Sequence, residues 1–395
     1  MQRGVVQRVL WVSAVTAVLR FGSGCASSAQ RPALPASAAP SVVVAVAPRI
    51  VTATDVTTES ELAARAERAL IAGRWRDAAE AYETLFRADP DGPHAPEYLF
   101  DLGIALEGLQ ERSRARDTFL DLARRFSDAS QARAALVRAT TLDAYLEDWT
   151  ALQNIGSELL ARSDLEDVER LLALGARGLG RIELGDDAAA SRDVYDALDL
   201  ADLLHYGERD VLPVAVAQAR FALGELRRIR SERIRFVPMP ADFVDELEAR
   251  CAGLLQAQAA YAQAVRSVDP HWAAMAGYRV GEMYRQLHRE LTAIPPPPTA
   301  GTEHQRQAFF AFMHVRYRVL LQKGLREIEQ TIALGERTSD SSAWIARARE
   351  AREEMQAALT DEQAQLEGMP FTEAEVKAVL DELEKKVRAS SPRDR

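Results

Sequence analysis

The sequence predicts an all-α protein: a solenoid of stacked helical hairpins with an elongated helical carboxyl-terminal section. Three observations predict it. Apolar residues recur at i, i+4 and i+7 in segment after segment, which is one face of a 3.6-residue helix. Four columns of small or apolar residues repeat in one register. Gly and Pro stand where that register needs the chain to turn. The stretch 73–90, GRWRDAAEAYETLFRADP, shows all three. Gly73 can take the φ > 0 conformation that ends a helix. Ala78, Tyr82 and Leu85 then share one helix face, and Asp89-Pro90 closes the segment, because proline bars its predecessor from the helical region.

The position of Ala78 recurs at Ala115, Leu152 and Ala190, at spacings of 37, 37 and 38 residues by subtraction. That of Tyr82 recurs at Phe119, Gly156 and Val194, and that of Leu85 at Leu122, Leu159 and Ala197. The preceding helix puts a small residue at the expected crossing: Ala66, Gly103, Thr140 and Gly178. Gly156, where an aromatic is expected, makes the third unit depart from the pattern. Small residue, aromatic, apolar residue, then proline resembles the second half of a tetratricopeptide (TPR) repeat, whose period of about 34 residues is exceeded here by a slightly longer loop. The resemblance implies that each hairpin stacks on its neighbours to bury a face it cannot bury alone. Because Gly103 falls at a crossing and Gly108 does not, Gly103→Leu is expected to cost more stability than Gly108→Leu.

The amino terminus reads differently. Residues 1–24 resemble a secretory signal, with Arg3 and Arg8 followed by the apolar run Val9–Leu19, too short to span a bilayer. Phe21-Gly-Ser-Gly-Cys25 resembles a bacterial lipobox, in which the Cys is acylated and becomes the first residue; Gly22 stands where Leu is usual. A soluble periplasmic protein is the alternative. Residues 25–58 are rich in Ala, Ser, Pro and Val and are expected to be a tether, with a reach on the order of 100 Å if extended. The repeats are placed at 59–294 and the long carboxyl-terminal helices at 303–390.

Beyond the fourth unit, a fifth first helix is expected at Val214–Ile229 with Gly224 small. Its partner is delayed by Val237-Pro-Met-Pro240 and begins after Asp242, a candidate N-cap, running from Phe243 to Ser267. His271–Leu291 follows, with Gly281 small. After Pro295–Pro298, Gln305–Thr338 and Ser341–Leu366 read as two long helices. Thr372 and Glu375 form a capping-box pattern for a last helix, which either caps the array or holds a partner. Ser390–Arg395 is expected to be disordered. The runs WAAMAGYRVGEMY (Trp272–Tyr284) and YRVLLQKGLREIEQTIALGE (Tyr317–Glu336), with Trp344, resemble the carboxyl-terminal part of TPR proteins of the myxobacterial envelope, some of them belonging to gliding-motility machinery. That resemblance implies a subunit of an envelope complex.

Net charge is −10 and the isoelectric point about 5.3, which argues against a phosphate-backbone partner. Lys occurs only at 323, 377, 385 and 386, so almost every cation is Arg. Of the two cysteines, Cys251 lies in a helical apolar pattern and reads as a buried inert thiol. The histidines at 94, 205, 271, 288, 304 and 314 show no H-E-x-x-H and no i, i+4 pair, so surface or capping roles are expected and no metal ligand is assigned. No P-loop, G-x-G-x-x-G or G-x-S-x-G occurs, and no catalytic residue or cofactor is assigned.

What remains is binding. Carrying the TPR groove positions onto this register gives Phe100, Ile104, Val137, Thr141, Tyr145 and Leu179 as a partner-binding groove. Large apolar groups on a solvated face mark a partner site; the competing reading turns the same side chains inward as core. The expected function is a non-enzymatic scaffold on the periplasmic side of the envelope, anchored to the outer membrane through lipid on Cys25. Its expected partners are envelope proteins, with no nucleic acid and no small-molecule substrate. The alternative is an accessory subunit of an envelope enzyme, or of outer-membrane protein assembly or cell-division machinery.

Overall fold

The computed structural model describes residues 56–206, 211–240, 242–267, 269–338 and 342–369, together with 372, 375 and 378. The expected signal segment, Cys25 and the expected tether up to residue 55 lie outside the described residues, as do the expected terminal helix beyond Thr372 and Glu375 and Ser390–Arg395. Within them the fold is all-α. The helices are α1 (Val56–Ile71), α2 (Trp75–Ala88), α3 (Ala95–Gly108), α4 (Arg112–Arg125), α5 (Ser130–Leu146), α6 (Trp149–Leu160), α7 (Asp167–Glu183), α8 (Asp187–Leu203), α9 (Val214–Glu232), α10 (Phe243–Ala264), α11 (Pro270–Thr292), α12 (Glu303–Thr338) and α13 (Ala343–Glu367). The only β pairing among the described residues is an isolated bridge between Leu212 and Ser267. Helix α1 starts at Val56, three residues inside the segment assigned to the tether.

The described residues up to Ala139 form one compact unit and those from Thr140 onward form another. In the first, α1 packs on α2, α2 on α3 and α3 on α4. In the second, α6 packs on α7, α7 on α8, α9 on α10, and α12 on α11 and α13, and α7, α9, α11 and α13 also touch one another in succession. This second pattern is the layer of first helices that a repeat array requires. The long helices α12 and α13 pack against α11, so they share its unit.

All sixteen column positions are buried. Ala66, Ala78, Ala115, Leu152 and Ala190 are fully excluded from solvent. At Gly103 and Gly178 the small residue of the first helix meets the large residue of the second. A Cβ on Gly103 would lie 2.4 Å from the Phe119 ring, and one on Gly178 would lie 2.8 Å from Val194. The same pairing joins Gly224 to Tyr261, 2.6 Å away, across the insertion between α9 and α10.

Gly156 departs from the column for a specific reason. A Cβ there would stand 2.9 Å from the backbone oxygen of Ala173, and one on Gly180 would stand 2.8 Å from that of Trp149. Helices α6 and α7 therefore touch backbone to backbone, and no aromatic side chain fits between them. The expected contrast between Gly103 and Gly108 also needs correction. Gly108 faces the Trp75 indole, 2.3 Å from a built Cβ, so both glycines are crowded. Phe119 is fully buried, whereas Trp75 is partly exposed and can yield.

The hairpin turns repeat as closely as the helices. Left-handed residues stand at Gly73 (φ 68°), Gln110 (φ 62°), Glu147 (φ 59°) and Gly185 (φ 87°), in the 37, 37, 38 register. In each turn the next N–H reaches five residues back: Arg74 to Ala69, Glu111 to Leu106, Asp148 to Asp143 and Asp186 to Arg181. These are Schellman bonds, which satisfy carbonyls that the helix end leaves open. Asp148 and Asp186 then cap the following helix by accepting from Ala151 and Ala189. Asp269 caps α11 through His271 and Trp272, while Asp242 occupies its N-cap position without a side-chain capping bond. Thr372 and Glu375 form the reciprocal capping box.

Candidate functional site

The predicted groove residues divide between the units: Phe100, Ile104 and Val137 in the first, Thr141, Tyr145 and Leu179 in the second. Leu179 is fully buried in α7 and belongs to the core, because α7 is covered by α6, α8 and α9. Tyr145 is only partly exposed. Its hydroxyl donates to the Asp269 carboxylate, and its ring lies 4.5 Å from that of His271 and 6.5 Å from that of Trp272. These contacts tie it to the start of α11. Thr141 is half-buried.

Phe100, Ile104 and Val137 are half-buried, between the groove and core readings. Phe100 meets Phe119 edge-on, with centroids 5.7 Å apart. The Arg138 guanidinium sits 5.8 Å from the Phe100 centroid and pairs with Glu107 at 2.5 Å. This surface thus offers an aromatic ring, two branched apolar side chains and an arginine. At the neighbouring position of α3, burial pushes the Asp101 carboxyl up to about 6, opposed by the hydrogen bond from Tyr82 and reinforced by Glu97 and Glu67.

The second unit holds a buried ionic knot. Glu225 of α9 is fully buried. It accepts from the Tyr261 hydroxyl at 2.6 Å and from Arg228 at 2.5 Å, and Arg279 lies 3.0 Å away. Burial alone would raise the Glu225 carboxyl; Arg279 and Arg228 outweigh it and hold the group below the usual carboxylate range. Every charge in the knot has a counter-charge, which is what burial of ions demands. Cys251 is buried and its thiol is pushed up to about 11 by desolvation against the opposing charge of Arg250, so it is unreactive at neutral pH.

A second buried cluster was not legible in the sequence. His288 of α11, His314 of α12 and Glu362 of α13 converge on one point. Nε2 of His288 lies 2.9 Å, and Nδ1 of His314 2.5 Å, from Oε1 of Glu362. Burial works to raise the Glu362 carboxyl, but the hydrogen bonds from the two imidazoles prevail and hold it at about 2. The expectation of surface or capping histidines is thereby corrected for His288, and also for His271, which is buried between Tyr145 and Trp272. The three residues of the cluster sit on three helices, so no local motif announces them.

The hairpins and their recurring turns define an all-α protein built of repeated helical hairpins. No family model and no curated protein matches the chain. Among solved structures it is similar to a tetratricopeptide repeat protein from Parabacteroides merdae, at 15% identity and a TM-score of 0.41, over 83% of this chain and 99% of that one.

Proposed function

We propose that the protein is a non-enzymatic scaffold that gathers envelope proteins on the periplasmic side, held at the outer membrane by lipid on Cys25. The observation that supports a binding role most directly is the half-exposed set Phe100, Ile104 and Val137, with Arg138 over the Phe100 ring. Aromatic and arginine anchors beside apolar side chains are the composition that dominates protein interfaces. The envelope assignment is supported by the basic start, apolar run and Cys25 of the amino terminus, and by the sequence resemblance to envelope TPR proteins.

The binding role is tested by replacing Ile104 and Val137 together with Ser. Crosslinking in intact cells should show partner capture reduced at least tenfold, about 1.4 kcal/mol, while a melting curve shows the fold retained. Unfolding of the variant at the growth temperature would transfer both residues to the core; unchanged capture by a folded variant would place the partner elsewhere. The anchor is tested by Cys25→Ala, which should move the protein from the membrane to the soluble fraction. A single acyl chain binds only marginally, and stable anchoring needs more than one. A wild-type amino terminus without lipid by mass spectrometry would refute the anchor.

A further inference from the structure

The geometry points to a divalent transition-metal site, with zinc as the best-fitting ion, built from His288, His314 and Glu362 where α11, α12 and α13 meet. Two imidazole nitrogens and a carboxylate oxygen are the donor set that zinc takes from three protein ligands, leaving one position for water. Their ligand atoms all lie within 4.8 Å of one another. A tetrahedral zinc with bonds near 2.0–2.1 Å separates its ligands by roughly 3.3 Å, so only small side-chain adjustments are needed.

Burial sharpens the case. The side chains of His288 and Glu362 are each 7% exposed and that of His314 is 14% exposed. Two imidazoles crowd one oxygen of Glu362, while its other oxygen, Oε2, is buried without a hydrogen-bond partner. An unsatisfied buried carboxylate oxygen is costly, and a cation at the cluster relieves it. In the tautomers that carry the proton on the other ring nitrogen, Nε2 of His288 and Nδ1 of His314 would present lone pairs to the ion.

The neighbouring cations do not occupy the place. Arg285 is engaged by Glu282 and Glu354, and Arg318 by Gln363 and the backbone oxygen of Leu359. Arg289 is held by Gln286. A cleft of about 340 Å³, lined by Thr292, Met355 and Asp361 among others, opens onto the cluster and supplies both an entry path and room for the water ligand. An ion here would tie together helices whose ligands are 48 and 74 residues apart in the chain. It would act as a staple on the long helices.

The test uses the full chain without a histidine tag, stripped with chelator and titrated with Co²⁺ and then Zn²⁺. One equivalent of Co²⁺ should bind and develop a visible ligand-field band that Zn²⁺ abolishes. Zn²⁺ should also raise the melting temperature by several degrees. Glu362→Gln, which keeps the shape and an acceptor, should weaken Zn²⁺ binding at least tenfold, and His314→Ala at least a hundredfold. Two results overturn the proposal: wild-type protein that binds neither ion at tenfold excess, or folded variants that bind with wild-type stoichiometry and affinity. The first is read on wild-type protein alone, so a variant that fails to fold cannot rescue the idea.

Discussion

Helix α7 carries two glycines five residues apart that should respond in opposite directions to the same substitution. Alanine is better than glycine in a helix interior by roughly 1 kcal/mol, because glycine loses more backbone freedom on folding. At Gly175 that gain is free to appear: a Cβ would meet Ala219 at 3.6 Å, ordinary contact. At Gly180 the Cβ would stand 2.8 Å from the backbone oxygen of Trp149 and 2.9 Å from the backbone nitrogen of Gln153. Those atoms belong to α6 and cannot rotate away, so the two helices must separate. Overpacking of this kind costs about 1–3 kcal/mol, which outweighs the propensity gain. Gly175→Ala should therefore stabilise by about 0.5–1 kcal/mol, and Gly180→Ala should destabilise by about 1–2 kcal/mol. Because the chain has two compact units, a single two-state transition is not assured. Hydrogen exchange measured on peptides of α6 and α7 isolates the local opening, with urea unfolding followed by circular dichroism beside it. Equal stability of the two variants, or a more stable Gly180→Ala, would refute the backbone-to-backbone crossing.

Two further predictions follow from the first unit. Gln110 occupies the left-handed turn position at φ 62°, where a Cβ costs about 1–2 kcal/mol; Gln110→Gly should raise the urea midpoint by an amount equivalent to about 1 kcal/mol, and no rise would mean the turn is not held as described. Asp101 titrates at about 6 in the fold against 3.8 unperturbed, so its contribution to stability is fully present below the unfolded value and is lost as the pH rises through about 6. Asp101→Asn, which keeps an acceptor for Tyr82, should then be more stable than wild type at pH 7.5 by up to about 3 kcal/mol and should show little difference at pH 4; melting curves at both pH values check it.

The helices were legible in the sequence because the constraint behind them is local and repeated. A small residue where two helices cross, and an aromatic or branched residue one helix later, must recur whenever hairpins stack, and so Gly103 with Phe119 and Gly178 with Val194 stand in register. Where the register broke, the reason lay in a partner helix. Gly156 looks like a failed aromatic position until Gly180 is seen facing the same crossing from the other side. The turns carry a glycine signal only at Gly73 and Gly185. Gln110 and Glu147 take the same left-handed conformation with side chains that do not advertise it, because the Schellman bonds and the packed helices on either side hold a strained residue that the turn alone would not favour.

The candidate sites show the opposite relation between sequence and space. Groove positions carried over from a repeat of about 34 residues assume its helix rotation. Here α7 is covered by α6, α8 and α9, and Leu179 is part of the core. Phe100, Ile104 and Val137, on helices in the other unit, stay half-exposed. The histidine cluster escaped for a different reason. Local metal motifs rest on two ligands one turn apart on a single helix, whereas His288, His314 and Glu362 take one ligand from each of three helices. Such a site needs the helices packed first and is invisible to any window of sequence. It also places two imidazoles and a carboxylate in a region that apolar side chains could have filled. The imidazoles satisfy one oxygen of Glu362, but its other oxygen is buried without a hydrogen-bond partner; the cost of that unmet acceptor is the physical reason to look for an ion between α11, α12 and α13.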